Sequence, residues 1–193
     1  MLTPWNYEVT RTLPPIIGVE DFDKITGGAM SATTEQKEAV LASVSQAIRD
    51  HCGWHVAPNV KCAFTGEGEG RLLVLPALAV SEVSSLEIAG ATADFEWRSC
   101  GLVRLKRGVF PDSWRSAKCC YSAGYDSTGS LGAIVAQIAS NALAAAPGIA
   151  EEHAGGVGAT YNKTGDGITG GVSLLARDKE LLSPYVLSGG VVA

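Results

Sequence analysis

The chain has 193 residues, enough for one domain with extensions or two small ones. Hydrophobic residues make up 46% of it and charged residues 18%, a balance that excludes global disorder. The formal net charge is -5 with no run of Lys or Arg, which argues against tight nucleic-acid binding, because that needs several phosphate-neutralising cations on one face.

Residues 1–18 carry Pro4, Pro14 and Pro15 with scattered Trp5 and Tyr7, and are expected to form an extended N-terminal arm. Met1–Trp5 has neither a basic n-region nor an apolar h-region, so no signal peptide is expected. A short helix is predicted over 19–26, with acidic Glu20, Asp21 and Asp23 near its start and Gly27-Gly28 as its stop. The next helix, over 34–52, has the clearest signature. Thr33 and Gln36 have capping-box spacing, Val40, Leu41, Val44 and Ile48 recur at helical intervals, and Gly53 follows as the stop.

From 56 to 125 the texture changes to short apolar runs separated by turn residues, predicting an antiparallel β-rich insert of five or six strands. The runs are 60–64, 71–76, 80–88, 95–98, 102–105 and 117–123, with Gly66–Gly70 read as a hairpin turn and Cys100-Gly101 as a tight turn. A further helix is predicted over 130–146, lined by Leu131, Ile134, Val135, Ile138, Ala142 and Leu143 and ended by Pro147-Gly148. Its alanines suit close approach to another helix, for which 34–52 is the expected partner. The uncharged stretch 127–150 is dominated by Ala and contains Gln137, Ser140 and Asn141, a poor composition for a membrane span, so none is expected. Residues 154–193 read as a glycine-rich, flexible C-terminal tail with a short helix near 174–183. The whole is an α+β chain: a small helical bundle in a core of 19–153, an inserted antiparallel β-domain, an extended arm and a glycine-rich tail.

The residues that carry chemistry do not assemble into a site. His51 and His55 have i, i+4 spacing, but Gly53 between them ends the helix and no HExxH glutamate is present, so no metal ligand is assigned. Gly66, Gly68 and Gly70 precede a strand rather than a helix N-terminus that would hold a phosphate. Gly158–Thr164 approaches a P-loop but lacks the glycine before Lys163. Asn162-Lys163-Thr164 fits a glycosylation sequon, which a chain without a secretion signal would not use. No GxSxG elbow occurs, and Glu20, Asp21 and Asp23 read as solvated partners of a helix dipole. Phe95, Trp97, Trp114 and Tyr121 could offer bases a stacking platform, but core packing of a small sheet is the favoured reading. Arg98, Arg104, Lys106, Arg107, Arg115 and Lys118 form a loose basic group on a solvated β-surface. The five cysteines, Cys52, Cys62, Cys100, Cys119 and Cys120, show no CxxC spacing and are read as reduced thiols, consistent with assembly in a host cytoplasm. No catalytic, cofactor-binding or metal-binding residue is assigned, and the chain is not expected to be an enzyme.

Two stretches together form a recognisable pattern. The first runs from Thr34-Glu35-Gln36 through Ile48-Arg49-Asp50-His51-Cys52-Gly53-Trp54-His55-Val56, an amphipathic helix leaving through Cys-Gly-Trp-His. The second is the ordered series Leu73-Val74-Leu75-Pro76, Val80 to Leu86, and Tyr121 to Asp126 running into the Ala-rich helix. In this order they resemble the head-to-tail connector (adaptor) proteins of tailed phages, most nearly the adaptors of phages that infect actinobacteria. The likeness spans roughly 19–147, with a looser echo at Leu181-Leu182-Ser183-Pro184-Tyr185. It implies a structural virion protein in the neck. Twelve identical copies would form a ring between the portal and the downstream stopper protein, with DNA passing through the lumen without specific binding and no membrane involved. Another neck component, such as a stopper or tail-completion protein, is the alternative within virion proteins. A small nucleic-acid-binding module using the basic hairpin is the alternative from another class, and salt-dependent DNA binding by the isolated chain would distinguish it.

Overall fold

The computed structural model describes residues 1–126, 129–144, 151–154, 157–160 and 173–187, of which 151–154 and 157–160 are described as backbone. Along the chain run β1 (Tyr7–Val9), α1 (Val19–Thr26), α2 (Thr34–Cys52), β2 (Val60–Gly66), β3 (Leu72–Val74), β4 (Val80–Ile88), β5 (Ala91–Thr92), β6 (Phe95–Trp97), β7 (Leu102–Leu105), β8 (Ala117–Ala123), α3 (Ser130–Ala144), β9 (Glu151–Ala154), β10 (Val157–Thr160) and α4 (Ala176–Leu182), followed by a 3-10 turn at Ser183–Tyr185. Helices and antiparallel sheets make this an α+β fold. The chain divides into two compact units, and the sheet-bearing stretch Cys52–Asp126 of the first is inserted in sequence between α2 and α3 of the second.

The first unit combines Met1–Leu13, Cys52–Asp126 and the segment from Tyr185. Its five-stranded sheet has the order β1-β2-β8-β4-β5, and its three-stranded sheet the order β3-β7-β6. Strand β8 shows why the sheet folds: Ala117, Cys119, Tyr121 and Ala123 are buried and alternate with more exposed residues, the period of two that one-sided burial requires. Residues 1–13, expected as an arm, contribute β1, which pairs with β2 in the register Tyr7↔Phe64 to Val9↔Cys62 and buries Tyr7 and Val9. The glycine-rich loop 66–70 is not a hairpin turn. It carries the chain from β2 in one sheet to β3 in the other, because β2 pairs with β1 and β8 while β3 pairs with β7. The turn at Cys100-Gly101 does close the β6–β7 hairpin, with Gly101 N–H donating to the Arg98 carbonyl at 3.0 Å. At the end of β8, Gly124 has φ +130, and a Cβ there would collide with the Pro58 carbonyl, so only glycine lets the chain leave the sheet here.

The second unit contains Pro14–His51 and the described parts of Ser127–Pro184. Helix α2 begins with a reciprocal box: Thr33 N–H donates to Gln36 Oε1 at 2.9 Å and Gln36 N–H to Thr33 Oγ1 at 3.2 Å. It buries Lys37, Leu41, Val44, Ser45, Ile48, Arg49 and Cys52, a stripe at steps of three and four. Residues 14–17 lie along α2, where Ile16 N–H donates to Ser45 Oγ at 2.8 Å and Arg49 Nη2 to the Pro14 carbonyl at 2.6 Å. Helix α1 ends in a left-handed Gly27, and Lys37 Nζ holds Asp23 Oδ1 at 2.6 Å, tying α1 to α2. Helix α3 approaches both α1 and α4 closely, backbone to backbone. Its buried face, Leu131, Gly132, Val135, Ala136, Ile138 and Ala139, is rich in small residues and permits that closeness. Strands β9 and β10 pair antiparallel across the expected boundary between core and tail at 153–154, where no strand was expected. Residues 145–146 of the expected helix, and 161–172 and 188–193 of the expected tail, lie outside the described residues.

Candidate functional site

His55 lies at the centre of a buried polar knot in the first unit. Its Nδ1 meets the Tyr7 hydroxyl at 2.7 Å and its Nε2 the Ala123 carbonyl at 2.9 Å, while its own backbone N–H donates to the Tyr7 hydroxyl at 2.9 Å. One neutral tautomer satisfies every bond: Nε2–H donates to Ala123 and Nδ1 accepts from Tyr7. Trp54 meets His55 edge-on and Tyr125 likewise, and its Nε1–H donates to the Tyr185 carbonyl at 2.7 Å. The Cys-Gly-Trp-His exit from α2 therefore supplies structural anchors: Trp54 clasps the segment from Tyr185, and His55 fastens β1 to the sheet. His51 belongs to α2, which ends at Cys52, so it shares no helix face with His55.

The other sequence candidates are accounted for one by one. Asp21 pairs with Lys24 at 3.6 Å and Asp23 with Lys37 at 2.6 Å, so each carboxylate is held by a lysine. Cys52, Cys62 and Cys119 are buried free thiols whose pKa burial pushes up to about 12, which leaves them protonated and poorly nucleophilic. Cys100 is an exposed free thiol at a turn. Among the described residues no group of three or more His, Cys, Asp or Glu is placed to hold a metal ion, and no helix is long and apolar enough to cross a membrane. In the P-loop-like stretch, 158–160 belong to β10, and the remainder lies outside the described residues with the sequon at Asn162.

The aromatic residues assigned to the core divide. Tyr121 is buried, Phe95 half-buried, Trp97 partly exposed, and Trp114 is 89% exposed. Trp114 is therefore a surface residue, contrary to the core reading, and it stands in the loop between β7 and β8. Beside it opens a cavity of about 340 Å³ whose walls come from that loop and from the glycine-rich loop between β2 and β3. Leu72 (46% exposed) and Val74 (57%) of β3 and Val109 (65%) add further exposed apolar side chains to the same small-sheet region. Sequence reading missed this surface because Trp in a strand-rich segment is ordinarily core. The available signal was its position after Pro111-Asp112-Ser113, a turn composition rather than a strand one.

No protein-family model matches the chain, and no curated protein matches it. Solved structures do match. A chain from the neck of an empty gene transfer agent (GTA) particle, computed with C6 symmetry, is similar over 97% of this chain and 98% of its own, with a TM-score of 0.59 and 15% identity. A chain from the neck of the native GTA particle, computed with C12 symmetry, matches over the same shares with a TM-score of 0.54 and 10% identity. A chain from the native GTA virion gives 0.56 and 15%. At such identities the likeness is one of fold, and it extends end to end: this chain has the fold of proteins found in the neck of GTA particles.

Proposed function

We propose that the chain is a non-enzymatic structural subunit of the neck of a tailed-phage-like particle. Within the neck it acts as the head-to-tail adaptor, a ring between the portal and the next neck component, with DNA passing through its lumen. The observation that carries the reading is the full-length likeness of fold to GTA neck chains, over 97% of this chain. The C12 symmetry of the native GTA neck supports a ring of twelve. The choice of adaptor over stopper or tail-completion protein rests on the sequence features in their order: helix, Cys-Gly-Trp-His exit, inserted β-domain and Ala-rich helix. A ring subunit needs two complementary surfaces that close by rotation. A subunit bound at both sides by its neighbours needs no reacting group.

Mixing the purified chain with the portal ring of its own particle tests the reading by native mass measurement and imaging. The expected product is the portal with twelve added chains of 20.0 kDa each. Failure to bind the portal, with binding to a neck that already carries another adaptor, would favour the stopper reading. Failure to bind either would remove the neck role.

A further inference from the structure

We propose that the cavity beside Trp114 is a docking site for a basic side chain, Arg or Lys, carried on a segment of a partner protein. The cavity is open to solvent and holds about 340 Å³. Its charged walls are three exposed carboxylates, Glu67 and Glu69 from the glycine-rich loop and Asp112 from the loop before β8. No Lys or Arg lines it. None of the three carboxylates has an ion-pair partner among the described residues, where the ion pairs are Lys24–Asp21, Lys37–Asp23 and Arg104–Glu96. Arg71, next in sequence to the glycine-rich loop, is committed elsewhere, its guanidinium donating to the carbonyls of Leu105 and Lys106. Arg107 and Arg115 are exposed but stand outside the walls.

The remaining walls are Gly68, Gly70, Pro111, Ser113 and two aromatic residues, Phe110 and Trp114. Phe110 is buried and lies so close over Gly68 that a Cβ there would strike its ring, which fixes the two loops against each other. Phe110 N–H also donates to the Gly70 carbonyl at 2.7 Å. Trp114 forms the outer wall, with its indole in solvent. An exposed indole next to unpaired carboxylates is complementary to a guanidinium or ammonium group, which gains from the π face and the carboxylates together. Trp and Arg are also the residue types that dominate binding energy at protein interfaces.

The probe is an acetylated, amidated Gly-Arg-Arg-Gly peptide titrated into the isotope-labelled full chain and followed by amide and indole chemical shifts. Shifts are expected at 66–70, at 109–115 and at the Trp114 indole N–H, saturating together. Glu67→Gln/Glu69→Gln/Asp112→Asn should weaken binding at least about tenfold, the loss of charge-assisted contacts, and Trp114→Ala several-fold. Both variants alter exposed side chains, and an unchanged unfolding curve verifies their fold. Shifts of equal size at Glu20, Asp21, Glu35 and Glu38 would reduce the effect to general electrostatics and overturn the proposal. Equal binding of a Gly-Leu-Leu-Gly peptide would overturn it too, in favour of a purely apolar occupant. Self-association of the wild-type chain that the triple variant abolishes would support the site, with a second copy as the source of the basic segment.

Discussion

Tyr7 and Tyr121 are both buried in the five-stranded sheet, but their hydroxyls occupy opposite energetic positions. The Tyr7 hydroxyl serves the His55 ring and the His55 backbone N–H, both fully enclosed. Tyr7→Phe would strand two buried polar groups, at about 1–3 kcal/mol for each. The Tyr121 hydroxyl lies against the Cys62 thiol, and no hydrogen bond of normal geometry reaches it. Tyr121→Phe removes a desolvated group that gains little, so the variant should be as stable as the wild type or more stable. Chemical denaturation of the two variants checks this pair. A loss for Tyr121→Phe as large as that for Tyr7→Phe would mean that packing rather than polar satisfaction decides both. In the sequence His55 stands out only by its i, i+4 spacing from His51. Its role was not legible there because its partners, Tyr7 and Ala123, lie 48 and 68 residues away.

At the scale of elements, the helices were legible and the sheet pairing was not. Helix α2 announces itself through local signals, the Thr33–Gln36 box, the stripe from Leu41 to Ile48 and left-handed Gly53 (φ +76), all within a few turns of one another. Strands β4, β7 and β8 were also recognisable from their own composition. Which strand pairs with which depends on contacts far apart in the chain, such as Val60↔Ala123, so the division into two sheets and the enlistment of β1 escaped notice. Three residues between prolines carry no strand signal by themselves. Strand β10 was hidden by the glycines in and before it, which normally signal a loop, and β9 by its short polar sequence Glu151–Ala154. The tether of residues 14–17 to α2 offers a test at this scale. Ser45 Oγ accepts from Ile16 N–H and donates to the Leu41 carbonyl at 2.6 Å, both buried. Ser45→Ala should cost about 1–3 kcal/mol by stranding the Ile16 N–H, and should speed hydrogen exchange at Ile16. Ser43→Ala, which removes an exposed hydroxyl bonded to the Ala39 carbonyl, should change neither. Unaltered exchange at Ile16 in the Ser45 variant would mean that Arg49 alone secures the segment.

Across the whole molecule, charge and titration divide between the two units. The first holds nine acidic and nine basic residues and the second eleven and six, so the net charge of -5 belongs to the helical unit. Self-association through the sheet-bearing unit therefore meets the least repulsion between copies. The buried thiols Cys52, Cys62 and Cys119 all belong to the sheet-bearing unit. In the unfolded chain they ionise near the ordinary value of 9.0, whereas burial pushes them up to about 12 in the folded one, and the neighbouring Cys120 adds to the effect at Cys119. Above pH 9 the folded chain thus retains protons that the unfolded chain releases, so stability falls as pH rises from about 9 towards 12 and is untouched by these groups below that window. Each thiol contributes a slope of at most about 1.4 kcal/mol per pH unit. Burial raises Tyr121 and Tyr125 above 10.0 as well and extends the loss in the same direction. All four tryptophans, Trp5, Trp54, Trp97 and Trp114, lie in this unit, so their fluorescence reports its unfolding. The urea midpoint followed by fluorescence should drop between about pH 9 and pH 11, and replacing the three buried cysteines with Ala should flatten that dependence. In the native state a thiol reagent should label Cys100 at once and reach the buried three only on unfolding. An undiminished pH slope in the triple variant would assign the alkaline loss to other groups, with the buried tyrosines the next to test.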